Sequence, residues 1–90
     1  MIVWYLDHPG LGRFARLGYQ TDVDLLLVHS GNWKALSNTG HRIMQARISK
    51  WIDLGGTVLF SPEDVVWSAP GGKVDTTADD LPEELVMEMH

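Results

Sequence analysis

The residues best suited to chemistry stand at two places where an apolar run gives way to polar residues. Asp7 and His8 follow the run "MIVWYL", and His29 and Ser30 follow the run "LLLV". Two histidines and a carboxylate are a donor set that can hold a metal ion with one open coordination position. A serine beside a histidine can be activated as a nucleophile. The four residues therefore define one candidate hydrolytic or ligand-binding site.

A structural interpretation of the same four residues competes with the chemical one. Polar side chains commonly stand where a strand runs out into solvent, and no spacing motif such as H-E-x-x-H accompanies these histidines. Adjacent residues of a strand point to opposite faces, so Asp7 and His8 are poorly placed to act together. We therefore predict no metal and no cofactor, and we favour a non-enzymatic function over an enzymatic one. The alternative is a minimal site made of Asp7, His8, His29 and Ser30.

Any such site depends on an alternation of strands and helices along the first sixty residues. Runs of aliphatic, aromatic and β-branched residues predict three buried strands, at 1–7, 23–28 and 57–60. Strands that are separated by helices form parallel sheets with right-handed crossovers. The predicted fold is therefore α/β, a small two-layer or three-layer domain with a parallel sheet of about three strands.

Two helices are predicted between these strands. Residues 13–19 suffice for about two turns. The main helix is predicted over 38–54, with Asn38 or Thr39 as its cap and a glycine at its end that adopts a positive φ, Gly55 or Gly56. At 100° per residue, one apolar arc of this helix contains Met44, Ile48, Trp51 and Ile52. A single helical turn is expected at Trp33–Leu36.

The end of the chain carries a further helical pattern. Asp80 and Glu83 have the spacing of a capping box. Apolar residues then recur every four positions, at Leu81, Leu85 and Met89. This spacing predicts a short amphipathic helix over 81–89. Residues 61–68 fit either a helical turn or a strand.

Charge divides the chain into two unequal parts. Residues 1–60 hold six arginines and lysines against four acids, whereas residues 61–90 hold one lysine against eight acids. We expect one domain with an α/β core at 1–68 and an acidic, partner-binding segment at 69–90. The predicted partner-binding residues are Asp75, Asp79, Asp80, Glu83, Glu84, Glu88, Leu85 and Met89.

The stretches "DVDLLLVHSG" and "RISKWIDLGGTVLFSPE" together resemble one βαβ unit of glutamine-amidotransferase-like domains, across residues 22–64. The residues that carry the resemblance are Asp24–His29, Trp51, Ile52, Gly55, Gly56 and Thr57–Phe60. The resemblance implies a flavodoxin-like α/β fold. Catalytic members of that superfamily use a cysteine at a strand-to-helix elbow, and this chain has no cysteine. No catalytic residue is therefore carried over.

Three other classes of function find little support. The glycines of "PGLGRF" lack the third glycine and the Lys-Ser/Thr pair of phosphate-binding loops. The net charge of −5 argues against direct binding of nucleic acid. No apolar run approaches the ~20 residues of a membrane span. Because a secretory leader and cysteines are also lacking, we expect a cytoplasmic protein.

The leading functional hypothesis is a non-enzymatic protein-binding module. Its acidic segment would engage a basic surface of a protein partner, such as a nucleic-acid-binding machine. Small, acidic, cysteine-free chains are common among phage-encoded inhibitors, anti-CRISPR proteins included. Besides the hydrolytic alternative, the chain could be a small structural subunit that self-associates through an exposed Trp33 or Trp67.

Overall fold

The computed structural model describes residues 1–62, 72–75 and 86–88. These residues form an α/β domain, which confirms the predicted fold class. In chain order the elements are β1 (Ile2–Leu6), α1 (His8–Leu17), β2 (Leu25–Val28), α2 (Ser30–Lys34), α3 (Asn38–Asp53), β3 (Thr57–Phe60), β4 (Gly72–Asp75) and β5 (Val86–Glu88). None of the helices in the described ranges has the length and hydropathy that a membrane crossing requires.

One five-stranded mixed sheet, in the order β4-β1-β2-β3-β5, organises the domain. Its three inner strands are parallel, as predicted, with Trp4 opposite Leu26 and Leu26 opposite Val58. Two antiparallel strands extend the sheet beyond the three that were expected: β4 pairs with β1, and β5 pairs with β3. Both outer strands come from the acidic segment, residues 69–90.

The predicted helix over 81–89 is wrong for residues 86–88, which form β5. Without β5, strand β3 would present a row of unpaired backbone donors and acceptors at the sheet edge. Pairing of Phe60 with Val86 and of Leu59 with Met87 satisfies these groups. A nine-residue helix is marginal on its own, so this long-range pairing overrides the local helical spacing. Residues 81–85 and 89 lie outside the described residues.

The first helix begins earlier than the predicted 13–19, because Asp7 caps it. The Asp7 side chain accepts a hydrogen bond from the backbone N–H of Gly10, and Pro9 occupies the first turn, where its missing N–H costs nothing. The helix ends at Gly18, whose φ of 69° lies in the left-handed region that glycine reaches without strain. The predicted turn at Trp33–Leu36 is likewise shifted, since α2 starts at Ser30.

The main helix agrees with its prediction. It spans Asn38–Asp53 and buries three of the four residues predicted for its apolar arc, Met44, Ile48 and Trp51. Its cap is Ser37 rather than Asn38 or Thr39, because the Ser37 hydroxyl accepts from the backbone N–H of Gly40 at 3.0 Å. The chain then turns at Gly55, which has a φ of 93°.

Helices α1 and α3 lie on the same face of the sheet and contact each other. The two crossovers advance in one direction, from β1 to β2 to β3, and connections of the same hand then place their helices on one side. Phe14 of α1 packs edge-on against Trp4 and Trp51, with ring centroids 5.6 and 6.1 Å away. These three aromatic side chains form the centre of the core between helices and sheet.

The opposite face of the sheet is also buried. Its alternate residues form a second apolar cluster made of Val3, Tyr5, Leu25, Leu27 and Leu59, with Val74 packed against it. Strands that are covered on both faces have no polar positions, which explains the uninterrupted apolar runs in the sequence.

Candidate functional site

The carboxyl ends of the three parallel strands meet at one edge of the sheet. The backbone N–H of His29 donates to the carbonyl of Leu6 at 3.1 Å, and the N–H of Ser61 donates to the carbonyl of Val28 at 2.9 Å. These bonds extend the strand pairing by one residue. The structure thus brings Asp7, His29 and Ser30 to a common edge, as the sequence predicts, and adds Ser61, which is buried.

Asp7 caps the helix at the turn between β1 and α1. Its Oδ1 accepts from the N–H of Gly10 at 2.8 Å. A Cβ on Gly10 would lie 2.8 Å from the carbonyl oxygen of Tyr5 and 3.0 Å from Asp7 Oδ1, so only glycine permits this approach. His8 belongs to α1 and lines a groove between α1 and α3, away from this cap. The structure thus places Asp7 in the helix cap and His8 in the lining of the groove.

His29 and Ser30 make structural hydrogen bonds and do not form a catalytic pair. Nδ1 of His29 accepts from the N–H of Asn32 at 3.1 Å, at the start of α2. The Ser30 hydroxyl donates to the carbonyl of Ser61, and its N–H donates to the Ser61 hydroxyl at 3.1 Å. A serine nucleophile must instead direct its proton to a base. The geometry therefore favours the structural interpretation of these polar residues.

The sheet topology also bears on catalysis at this edge. In open α/β sheets, ligands bind where the strand order reverses and adjacent helices diverge to opposite faces. The parallel strands here run β1-β2-β3 without reversal, and α1 and α3 share one face. Within the described ranges, no three histidine or carboxylate side chains converge on a point that could hold a metal ion.

A substitution at Asp7 separates a capping role from a chemical one. Asp7→Ala should lower the free energy of unfolding by about 1 kcal/mol, whereas Asp7→Asn should change it little because asparagine caps equally well. Denaturant unfolding followed by tryptophan fluorescence measures both. If Asp7→Asn were as costly as Asp7→Ala, the negative charge would have a role beyond the cap.

The second candidate site is the groove between α1 and α3, which we call the helix groove. It has a volume of about 230 Å³ and is lined by His8, Leu11, Gly12, Ala15, Leu36, Gly40, Ile43 and Met44. An added Cβ on Gly12 would meet no atom within 4 Å, so this position faces open space. Ile43 is 47% exposed despite its apolar side chain. The helix groove is thus an apolar depression with access from solvent.

Cations concentrate on the two helices that form this groove. Helices α1 and α3 carry one acid, Asp53, against five cations: Arg13, Arg16, Arg42, Arg47 and Lys50. In the part of the chain that the structure describes, none of the five pairs with a carboxylate. Nε of Arg47 donates to the carbonyl of Ala15 at 3.0 Å and so joins α3 to α1. Two of the five, Arg16 and Arg47, lie one helical turn from the groove-lining residues Gly12 and Ile43.

Two of the predicted partner-binding residues belong to described strands. Asp75 ends β4, and its carboxylate lies 3.1 Å from the N-terminal amine while its side chain is 78% exposed. Glu88 ends β5, where it is paired with Val58. The others fall outside the described residues, namely Asp79, Asp80, Glu83, Glu84, Leu85 and Met89.

Trp33, proposed above as a self-association surface, is half-buried. Its ring packs edge-on against Phe60, with centroids 5.3 Å apart, and lies 5.6 Å from the ring of His41. The carbonyl of Trp33 also accepts from Nε2 of His41 at 2.6 Å. Trp33 is thus part of the fold's own packing, and Trp67 lies outside the described residues.

The helix groove is the feature that sequence reasoning missed. Its signals were present, since Gly12 and Gly40 remove side chains from facing helices and the cations cluster on the same two segments. The chain matches no family model, no curated protein and no solved structure. The resemblance to glutamine-amidotransferase-like domains stays a prediction.

Proposed function

We propose that the protein is a non-enzymatic protein-binding module of the cytoplasm whose acidic segment engages a basic surface of a macromolecular partner. The partner's surface is of the kind that binds nucleic acid, so occupancy by this chain would inhibit or regulate the partner. The observation that carries the proposal is the attachment of the acidic segment to both edges of the sheet.

This attachment supports the proposal because it ties the segment to a folded domain. Strand β4 is held by β1, and β5 is held by β3 at the other edge of the sheet. Residues 76–85 connect the two strands and contain Asp79, Asp80, Glu83 and Glu84 without any lysine or arginine. A segment that is fixed at both ends loses less conformational entropy on binding than a free tail does.

The strength of the charge imbalance supports the choice of a basic partner. Residues 61–90 hold eight acids and one lysine, Lys73. Lys73 is itself engaged, since its Nζ lies 3.5 Å from Asp22 and 5.1 Å from the centroid of the Trp4 ring. A surface of one sign accelerates encounter with a surface of the opposite sign and discriminates against other partners.

Two double variants with equal changes in charge test this proposal. Glu83→Gln with Glu84→Gln should reduce recovery of partner proteins from cell extract, because both charges belong to the proposed contact. Asp7→Asn with Asp53→Asn removes two charges outside the acidic segment and should leave recovery unchanged. Quantitative mass spectrometry of the purified complexes provides the measurement. Equal recovery by the two variants and the unmodified chain would contradict the proposal.

A further inference from the structure

The helix groove is a second surface, built from elements that the proposed function does not use. We propose that it binds an acidic, amphipathic peptide segment of a partner protein. A large apolar side chain of the peptide would enter the groove, and carboxylates of the same peptide would meet Arg16 and Arg47. This inference goes beyond the acidic-segment proposal and does not depend on it.

The size and lining of the helix groove fit a side-chain anchor. Sites for drug-sized small molecules are typically about 300–1,000 Å³. The helix groove has about 230 Å³, below that range, and its lining is almost wholly apolar. An amphipathic segment that places apolar anchors at helical spacing in such a groove is an established mode of peptide recognition. The exposed half of Ile43 would become buried on binding.

The positive charges beside the groove favour a peptide that carries negative charge. Arg16 lies one helical turn beyond Gly12, and Arg47 lies one turn beyond Ile43, so both flank the lining residues. Arg47 uses its Nε–H for the carbonyl of Ala15 and keeps four further N–H donors. Guanidinium groups of this kind bind carboxylates in a bidentate manner. A basic peptide would meet repulsion at the same positions.

A nucleic acid would use this surface less completely than a peptide would. Phosphates could bind the arginines. They would make no favourable contact with the apolar lining of the groove, which includes Leu11, Leu36, Ile43 and Met44. The net charge of −5 also opposes binding of a polyanion to the whole molecule. A short acidic peptide carries far less charge and also supplies the apolar contact.

Selection from a random peptide library, displayed against the full chain, tests the inference. We expect enriched peptides to combine aspartate or glutamate with large apolar residues three or four positions apart. Enrichment of basic or purely polar peptides, or no enrichment, would overturn the proposal. So would a single-stranded oligonucleotide that binds the chain more tightly than the best enriched peptide.

Variants then locate the binding of a labelled, enriched peptide. Gly12→Leu places a side chain in the open part of the helix groove and should weaken binding at least about tenfold, as loss of a buried anchor does. Arg16→Glu should weaken it as well and reduce its salt dependence. Gln45→Leu adds the same side chain to an exposed position of α3 outside the groove and should have no effect.

Circular dichroism of each variant separates loss of binding from loss of folding. A folded Gly12→Leu variant that binds the peptide as tightly as the unmodified chain would overturn the proposal. If Gly12→Leu fails to fold, Ile43→Asp replaces it, since Ile43 is already half-exposed and lines the groove. Ile43→Asp should weaken peptide binding, and unchanged binding would overturn the proposal. If these variants do not affect peptide binding, the groove proposal fails. The acidic-segment proposal is not affected, because its test uses other residues.

Discussion

Replacing Gly56 with alanine is expected to destabilise the protein by about 3 kcal/mol or more, the upper range for overpacking of a rigid core. A Cβ at this position would lie 2.3 Å from both Cε2 and Nε1 of the Trp51 indole. Trp51 cannot move away, because it is fully buried and its Nε1–H donates to the carbonyl of Thr57 at 3.0 Å. Equilibrium denaturation measures the loss.

Gly12 provides the matched control for this prediction. An added Cβ at Gly12 meets no atom within 4 Å, and the residue lies inside α1. Gly12→Ala should therefore stabilise the protein by about 0.5–1 kcal/mol, since alanine is favoured over glycine in helices. A Gly56→Ala variant as stable as the unmodified protein would show that the indole does not pack against the backbone at Gly56.

Replacing Phe14 with alanine is expected to cost about 3–5 kcal/mol, as for other fully buried phenylalanines. Phe14 has no solvent exposure, and its ring makes edge-on contacts with Trp4 and Trp51. These contacts join α1 to the sheet and to α3, so the cavity would open at the centre of the core. Such a loss is a large part of the free energy of unfolding of a typical domain, which is about 5–15 kcal/mol.

Leu17 is the corresponding control on the same helix. It is 56% exposed at the end of α1, so Leu17→Ala should change the free energy of unfolding by less than about 0.5 kcal/mol. Thermal and denaturant unfolding of both variants, followed by tryptophan emission, gives the comparison. Similar losses in the free energy of unfolding for Phe14→Ala and Leu17→Ala would mean that the face of α1 that contains Phe14 is not buried.

The inner sheet and α3 were predictable because their signals are local. Strands with both faces buried appear as unbroken apolar runs, and β3 occupies the predicted 57–60. The burial of Met44, Ile48 and Trp51 follows directly from helical spacing. The outer strands were not predictable in the same way, because β4 and β5 form by pairing with edges that exist only after the core has assembled.

The start of α1 was missed for a related reason. Proline and two glycines within "HPGLG" are typical of a loop, yet Pro9 is favourable in a first helical turn. Gly10 is required there because the helix begins so close to the carbonyl of Tyr5. Neither effect can be recognised until it is known that β1 ends at Leu6 and that Asp7 caps the helix.

The candidate site also has features that the sequence predicts and features that it does not. Convergence of Asp7, His29 and Ser30 follows from parallel strands and could be predicted. The partner of Ser30 could not, because Ser61 is 31 residues away and its backbone carbonyl accepts the hydroxyl's hydrogen bond. The helix groove requires the spacing of α1 and α3, which sequence periodicity does not report.

The most direct test of the acidic-segment proposal is the association rate constant with a purified partner, measured by stopped-flow fluorescence at several salt concentrations. For the unmodified chain, the rate constant should fall steeply as salt increases, because long-range attraction accelerates encounter. A variant with Asp79, Asp80, Glu83 and Glu84 changed to their amides should associate more slowly and depend less on salt. Equal rate constants and equal salt dependence for the two proteins would contradict the proposal.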